Sequence, residues 1–408
     1  MKLLTKIHVV DSIMGSGKST YCHHEMYNNT NKKYIYITPY LNEIERLIGD
    51  KDNRTKFYTE RGFREPLHLG EGKLEGLHDL LLKDHNIATT HALFRKAVPE
   101  TIELISTGEY TLMLDEALDV VDIFEMSCKD YDMLLSNNLI EEQEKGLIKW
   151  KDDNYNGLFI DFKRLCQNGT VAKIKRSKKI QLLAWNFSPE LFNAFKEVYI
   201  FTYLFESSYM KYYFDMHNIQ YDKFTVQNHK LISFKGKQLY NKNKYKQLIN
   251  IYYGNLNNIG DKDNALSLNW FKNYPVLRNK LKNNILNYFM NISNAKSNSI
   301  IWTTFKSTKN HLSAKGYTRR FISLNTRATN EYKDCTNLAY CCNRYISPDY
   351  IEYFRLNNVS INEDLFALSE LLQWIWRSAI REGKPINLYI PSSRMRKILM
   401  DWLNNGDI

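Results

Sequence analysis

No apolar run in the 408-residue chain approaches the roughly 18 residues that a membrane-spanning helix needs. The amino-terminal stretch loses its apolar character at Asp11 and a glycine-bearing loop, so neither a secretory leader nor an anchor is expected. The six cysteines, Cys22, Cys128, Cys166, Cys335, Cys341 and Cys342, include no CxxC pair and no spacing with histidine that would suit zinc. Reduced thiols and a cytoplasmic setting are therefore expected. Internal repeats, low-complexity tracts and a long Pro/Gly linker are also lacking.

What is present is the composition of a folded protein, with 43% hydrophobic and 25% charged residues. The length suits two or three domains of ordinary size and excludes a small disulfide-stapled scaffold. Lysine and arginine number 56 against 45 aspartates and glutamates, a formal charge of +11 that favours an anionic partner. Asn, Lys, Ile and Tyr are heavily used throughout, and an AT-rich coding bias can account for part of the lysine excess.

Residues 7–11 read as a short apolar strand. Ser12-Ile13-Met14-Gly15-Ser16-Gly17-Lys18-Ser19-Thr20 follows, and then a helix-compatible stretch. A polyphosphate site needs this order, because successive backbone N–H groups and a helix amino terminus must converge with no side chain in the way. Ser12, Gly15, Ser16, Gly17, Lys18, Ser19 and Thr20 are the candidate nucleotide-binding residues, with Lys18 reaching the β- and γ-phosphates and the Ser19 hydroxyl on Mg²⁺. Ser12 stands where the strict pattern has glycine. A second apolar run, residues 110–117, ends in Asp115 and Glu116. At the carboxyl end of a parallel strand Asp115 would hold Mg²⁺ and Glu116 would orient or deprotonate an attacking water.

With Ser12–Ser19 as motif I and Asp115-Glu116-Ala117-Leu118 as motif II, the chain resembles superfamily 2 helicases of the DEAD/DEAH-box type, most of all the compact versions of phages and prophages. The resemblance implies an α/β fold of two RecA-like P-loop NTPase domains, with parallel sheets flanked by helices. It also implies ATP and Mg²⁺ as cofactors, and the cytoplasm of a bacterial host. The expected partner is DNA, single-stranded or forked, ahead of RNA, together with replication or recombination proteins and no membrane.

Tyr34–Tyr40, ending in Thr38-Pro39, has the form of motif Ia, and Ile87–Phe94, with Thr90 and His91, matches another strand-end position of the family. In the family such turns touch one nucleic-acid strand through its backbone. Tyr199–Tyr203 falls at motif III and Ser299–Phe305, with Thr304, near motif IV. Thr326, Arg327, Thr329 and Asn330 fall at motif V. Residues 360–383 read as one capped helix, Ser360 with Glu363 forming a capping box and Gly383 and Pro385 the stop. Its polar stripe of Gln373, Arg377 and Arg381 resembles motif VI, whose glutamine and arginines reach the γ-phosphate and act in catalysis. Trp376 replaces the family's glycine, and the second arginine lies eight residues after Gln373 instead of seven.

The expected organisation is a first domain over 1–206, a connector over 207–247 and a second domain over 248–408. Residues 122–185, helical-looking and charged, read as an insertion. Its basic run, Lys173, Lys175, Arg176, Lys178 and Lys179, is either a strand-binding arm or a solvated hairpin. The basic and aromatic segment 235–246, with Tyr240 and Tyr245, has the composition of a single-strand binder. Two other functions fit parts of the pattern. One is an ATPase that recruits or loads replication partners without unwinding. The other is a packaging-type P-loop ATPase or phosphotransferase, whose nuclease form would need Asp349, Glu352, Glu363 and Asp364 to converge.

Overall fold

The computed structural model describes residues 5–70, 72–234, 236, 242–324 and 331–405. The chain forms two compact units: Met1–Gly236 with Ser347–Ile361, and Lys237–Ile346 with Asn362–Ile408. Both are α/β units built on a sheet of parallel strands flanked by helices.

The strands of the first unit are β1 (Lys6–Asp11), β2 (Tyr34–Thr38), β3 (Ile87–Thr90), β4 (Thr111–Asp115), β5 (Val121–Ser127), β6 (Ile140–Glu142), β7 (Leu147–Trp150), β8 (Gly169–Arg176), β9 (Ile180–Phe187), β10 (Glu197–Thr202), β11 (Asp222–Gln227) and β12 (Lys230–Ser233). Seven of them form the main sheet in the order β12-β11-β1-β10-β4-β2-β3, parallel except where β12 pairs with β11. The central strands are almost wholly apolar because both faces are covered. Alternation assigns the faces: Tyr34, Tyr36, Met113, Tyr199 and Phe201 pack with Cys22 and Met26 of the helix Lys18–Asn28. Ile35, Ile37, Leu112, Leu114, Val198 and Ile200 join the opposite core.

Residues 121–187 form a separate antiparallel sheet, β5-β9-β8-β7-β6, with the helices Cys128–Ser136 and Ile160–Asn168. The helical look of its sequence is only partly met. Stretches such as Ile180–Phe187, rich in apolar and aromatic residues, pair across strands, and Val171, Leu183 and Trp185 are buried. The basic run is a hairpin: β8 and β9 are joined at Ser177–Lys179, with Lys175, Lys178 and Lys179 exposed at its tip. Val121 pairs with Asn186, so the insertion leaves and rejoins the parent chain at neighbouring points.

Two further differences from expectation concern the first unit. The stretch 207–247 is no simple connector, since the helix Tyr209–Met216, capped by the Ser208 hydroxyl, and the strands β11 and β12 belong to the main unit. The later helix Pro348–Leu356 packs here too: Tyr350 stacks on Tyr209 with ring centroids 4.6 Å apart, Phe354 is buried, and the Asn186 side chain donates to the Tyr353 hydroxyl at 2.8 Å.

The second unit has β13 (Ile249–Ile251), β14 (Ile300–Thr303), β15 (Asn337–Tyr340) and β16 (Ile386–Tyr389) in the parallel order β13-β16-β15-β14. The expected helix over 360–383 is shorter. Asn362, not Ser360, is the cap, accepting from the Leu365 N–H at 2.9 Å, and the helix runs Glu363–Ile375. It ends because Arg377 and Ser378 turn back with N–H bonds to Trp374 and Ile375, after which the Ser378 hydroxyl caps a separate short turn, Ala379–Glu382.

Candidate functional site

The register of three strands sets the site. Asp11, at the end of β1, lies opposite Thr202 of β10, and Phe201 lies opposite Asp115, at the end of β4. Motif I and motif II therefore leave the same edge of the sheet with one strand between them, about 10 Å apart at the usual strand spacing.

Gly15 and Gly17 adopt φ of 79° and 93°, a left-handed conformation that glycine takes without strain. Gly17 precedes the first turn of the helix Lys18–Asn28. The Lys18 ammonium donates to the carbonyls of Ser12 and Ile13. Burial pushes it down to about 8, against the pull of Asp11, Asp115 and Glu116. Ser16 Oγ is buried with no hydrogen-bond partner among the described residues, whereas Ser19 and Thr20 are exposed. Ser12 explains its own departure from the glycine pattern. Its buried hydroxyl shares a hydrogen bond with the Thr225 hydroxyl at 2.7 Å and accepts the Val226 N–H at 2.8 Å, pinning β11 to the loop.

Asp115 is held from two sides. The Tyr36 and Thr38 hydroxyls donate to its carboxylate at 3.2 and 3.4 Å, and a ring nitrogen of His91 bonds its carbonyl at 3.0 Å. Burial and the adjacent Glu116 push Asp115 up to about 6, while the Tyr36 bond opposes the rise. Glu116 has φ of 67°, unusual for a side chain other than glycine, and its N–H donates to the Phe201 carbonyl at 2.9 Å. The loop glycines, the orphaned Ser16 hydroxyl and Lys18 suit a polyphosphate, and a carboxylate with a nearby hydroxyl suits a hard divalent cation that keeps much of its water.

Of the remaining sequence candidates, Thr38 and His91 flank Asp115, and most of the other described ones are engaged within their own units. Thr38 is fully buried against Asp115, and Thr304 is fully buried with its hydroxyl paired to Thr308 at 2.9 Å. Neither side chain is open to a nucleic acid, because each is used inside its unit. Thr90 caps the short helix His91–Phe94 and lies opposite Thr38, the last residue of β2, after which Pro39 is partly exposed. Gln373 donates to Ser369 Oγ at 3.2 Å. Arg377 is 6% exposed and donates to the carbonyls of Ser323 and Leu324, whereas Arg381 is exposed on the separate turn, so the two do not share one helical stripe. Thr326, Arg327, Thr329, Asn330 and Tyr240 lie outside the described residues; Tyr245 packs edge-on against Trp376 at 4.9 Å. Among the nuclease carboxylates, Glu352 pairs with Arg355 and Asp364 with Arg394.

Two contributors escape the motif reading. Asp11, buried, accepts the Leu204 and Phe205 N–H groups at 2.9 and 3.1 Å and pairs with Lys223 at 3.2 Å, tying the loop to the turn after β10. Its signal is a charge at the end of an apolar strand. Tyr36 is the other, hidden because an alternating strand gives no hint of which hydroxyl meets a carboxylate.

Fold and site together define a protein of two parallel α/β units whose first unit carries an antiparallel insertion and, at one sheet edge, a glycine loop facing two carboxylates. Residues 121–185 match the YonV middle domain and residues 243–403 the YonV C-terminal Rossmann-like domain. The SPbeta prophage-derived protein YonV of Bacillus subtilis (strain 168) is 45% identical over 98% of this chain and all of its own length. The chain belongs to the YonV family. A solved structure, that of S. tokodaii Xpd4, has a TM-score of 0.47 at 13% identity, over 98% of this chain and 94% of that one. No helix among the described residues is long and apolar enough to cross a membrane.

Proposed function

We propose that the chain is a nucleic-acid-dependent ATPase of the superfamily 2 helicase type, working as a translocase or helicase on DNA in phage replication or recombination. The observation that carries this reading is the convergence of Lys18, Asp115 and Glu116 on one sheet edge, with Lys18 electrostatically coupled to both carboxylates. ATP would be gripped by the loop from Gly15 to Thr20, with Lys18 leaving its loop carbonyls for the terminal phosphates. Ser19 and Asp115 would hold Mg²⁺, which when bound neutralises charge developing on the phosphates. Glu116, fixed by its backbone bond to β10, would orient the attacking water and take its proton. Asp11 would transmit changes at the loop to the turn after β10 through its two N–H bonds. The prophage origin of the YonV relative and the excess of basic residues are consistent with a DNA substrate in a bacterial cytoplasm.

The test is ATP hydrolysis by the purified chain alone, with single-stranded DNA and with RNA, beside Lys18→Ala and Arg381→Ala. Stimulation by one nucleic acid, lost in both variants, supports the motor and identifies its track. Hydrolysis indifferent to nucleic acid and to Arg381 overturns it.

A further inference from the structure

The connection between β11 and β12 is two residues long. Gln227 pairs with Lys230, leaving Asn228 and His229 as the turn, with φ of 49° and 59°. Positive φ at both positions is the geometry that joins twisted antiparallel strands best, and its second position ordinarily takes glycine. A histidine there runs against local preference.

The imidazole lies against the phosphate loop. A Cβ built on Gly17 would stand 3.4 Å from His229 Nδ1 and 3.6 Å from Cε1, so the ring lies within contact distance of the loop at Gly17. A second imidazole lies beside it: His24 is exposed on the helix Lys18–Asn28, its ring centroid 6.3 Å from that of His229 and the planes 36° apart. His24 follows Gly17 by two helical turns and so lies on the same face. Its neighbour His23 is turned inward instead, edge-on to Tyr36 and Phe57. Two exposed rings thus border the loop, delivered by elements far apart in sequence, one of them a turn that has no local reason to carry histidine.

We propose that His229 and His24 form the wall that receives the base and ribose of the nucleotide whose phosphates the loop binds, and that this wall distinguishes a nucleotide from a bare polyphosphate. The inference rests on the nucleotide-binding reading above. The ring faces stack on a purine, and the ring nitrogens hydrogen-bond ribose hydroxyls. The hairpin would thereby report on the occupant of the loop, since Ser12 already ties β11 to it.

The experiment measures equilibrium binding of ATP and of inorganic tripolyphosphate to the full chain, in the wild type, His229→Gly, His24→Ala and Lys18→Ala. Glycine suits the turn better than histidine, so His229→Gly should fold with an unchanged or raised thermal midpoint. The expected result is ATP binding weaker by roughly tenfold in His229→Gly, and by less in His24→Ala, with tripolyphosphate binding unchanged in both. Lys18→Ala should weaken both ligands. Equal loss of ATP and tripolyphosphate in His229→Gly would mean that the ring serves the phosphates and would overturn the proposal, as would no change in either. A wild type that binds neither ligand would overturn the nucleotide reading itself, a distinguishable failure. If His229→Gly lowers the thermal midpoint, His229→Asn, which also accepts positive φ, is judged by the same criteria.

Discussion

The Tyr36 hydroxyl donates to the Asp115 carboxylate at 3.2 Å, from the strand next to the one that carries the acid. This bond favours the charged carboxylate in a site where burial and Glu116 disfavour it. Tyr36→Phe should therefore leave the fold intact and raise the Mg²⁺ concentration needed for half-maximal ATP hydrolysis, by about two- to tenfold for a bond of ordinary strength. A magnesium titration of steady-state hydrolysis reads the effect; an unaltered requirement would mean that Asp115 does not meet the metal.

Substitution of Glu116 should separate binding from turnover. Glu116→Gln keeps the backbone bond to Phe201, and its expected outcome is ATP affinity near that of the wild type with hydrolysis reduced by at least about a hundredfold. Lys18→Ala should lose both. Fluorescent-nucleotide binding measured beside phosphate release distinguishes the two variants.

Acid should destabilise the first unit through two half-buried histidines. Burial lowers His23 to about 4, and it lowers His217, which packs on Tyr213 with ring centroids 4.5 Å apart, to about 4 as well. In the unfolded chain both titrate near 6.5. The unfolded state then binds more protons between those values, so the stability is fully present above about pH 6.5 and is lost as pH falls toward 4. Chemical denaturation at pH 7.5 and pH 5 should differ by up to about 2 kcal/mol for each of the two histidines, and His217→Gln should shrink the difference.

The hairpin tip of the insertion provides a fourth check. Lys178 and Lys179 are exposed there. If this tip contacts a nucleic-acid backbone, Lys178→Glu with Lys179→Glu weakens DNA binding and lowers the slope of log affinity against log salt by about 2. An unchanged slope, measured by fluorescence anisotropy at several salt concentrations, identifies the tip as a solvated turn.

Phe354 is fully buried in the first unit although it lies late in the chain. Phe354→Ala should cost about 3 kcal/mol, the ordinary cost of emptying a buried aromatic site. Limited proteolysis followed by mass spectrometry should find faster cleavage within 121–187, the sheet on which this helix rests.

The parts of the fold that were legible in the sequence are those in which neighbours in sequence do the work. The strand, the glycine loop and the helix from Lys6 to Asn28 are contiguous, and β4 exports Asp115 and Glu116 at its own end. What stayed hidden depends on distant partners. Nothing near Arg377 announces that Ser323 and Leu324 carbonyls will take its guanidinium, and nothing near Tyr350 announces Tyr209. Thr38 and Thr304 have the residue type expected for phosphate contacts, but their burial is decided by the sheets around them. The antiparallel insertion was obscured because its longest strands lack a clean two-residue alternation: Gly169–Arg176 gathers its exposed charges at one end and Ile180–Phe187 is buried along most of its length, so no strand period stands out from the charged sequence around it.

The helix Pro348–Leu356 also imposes an order on synthesis. The first unit lacks a piece of its core until about residue 361 has been made, although its main body ends near residue 236. At about 5–20 residues per second, a ribosome takes roughly 6 to 25 seconds to cover the interval. Throughout that time the surface that receives Phe354 is exposed on a nascent chain, and a chaperone has its best opportunity to engage it.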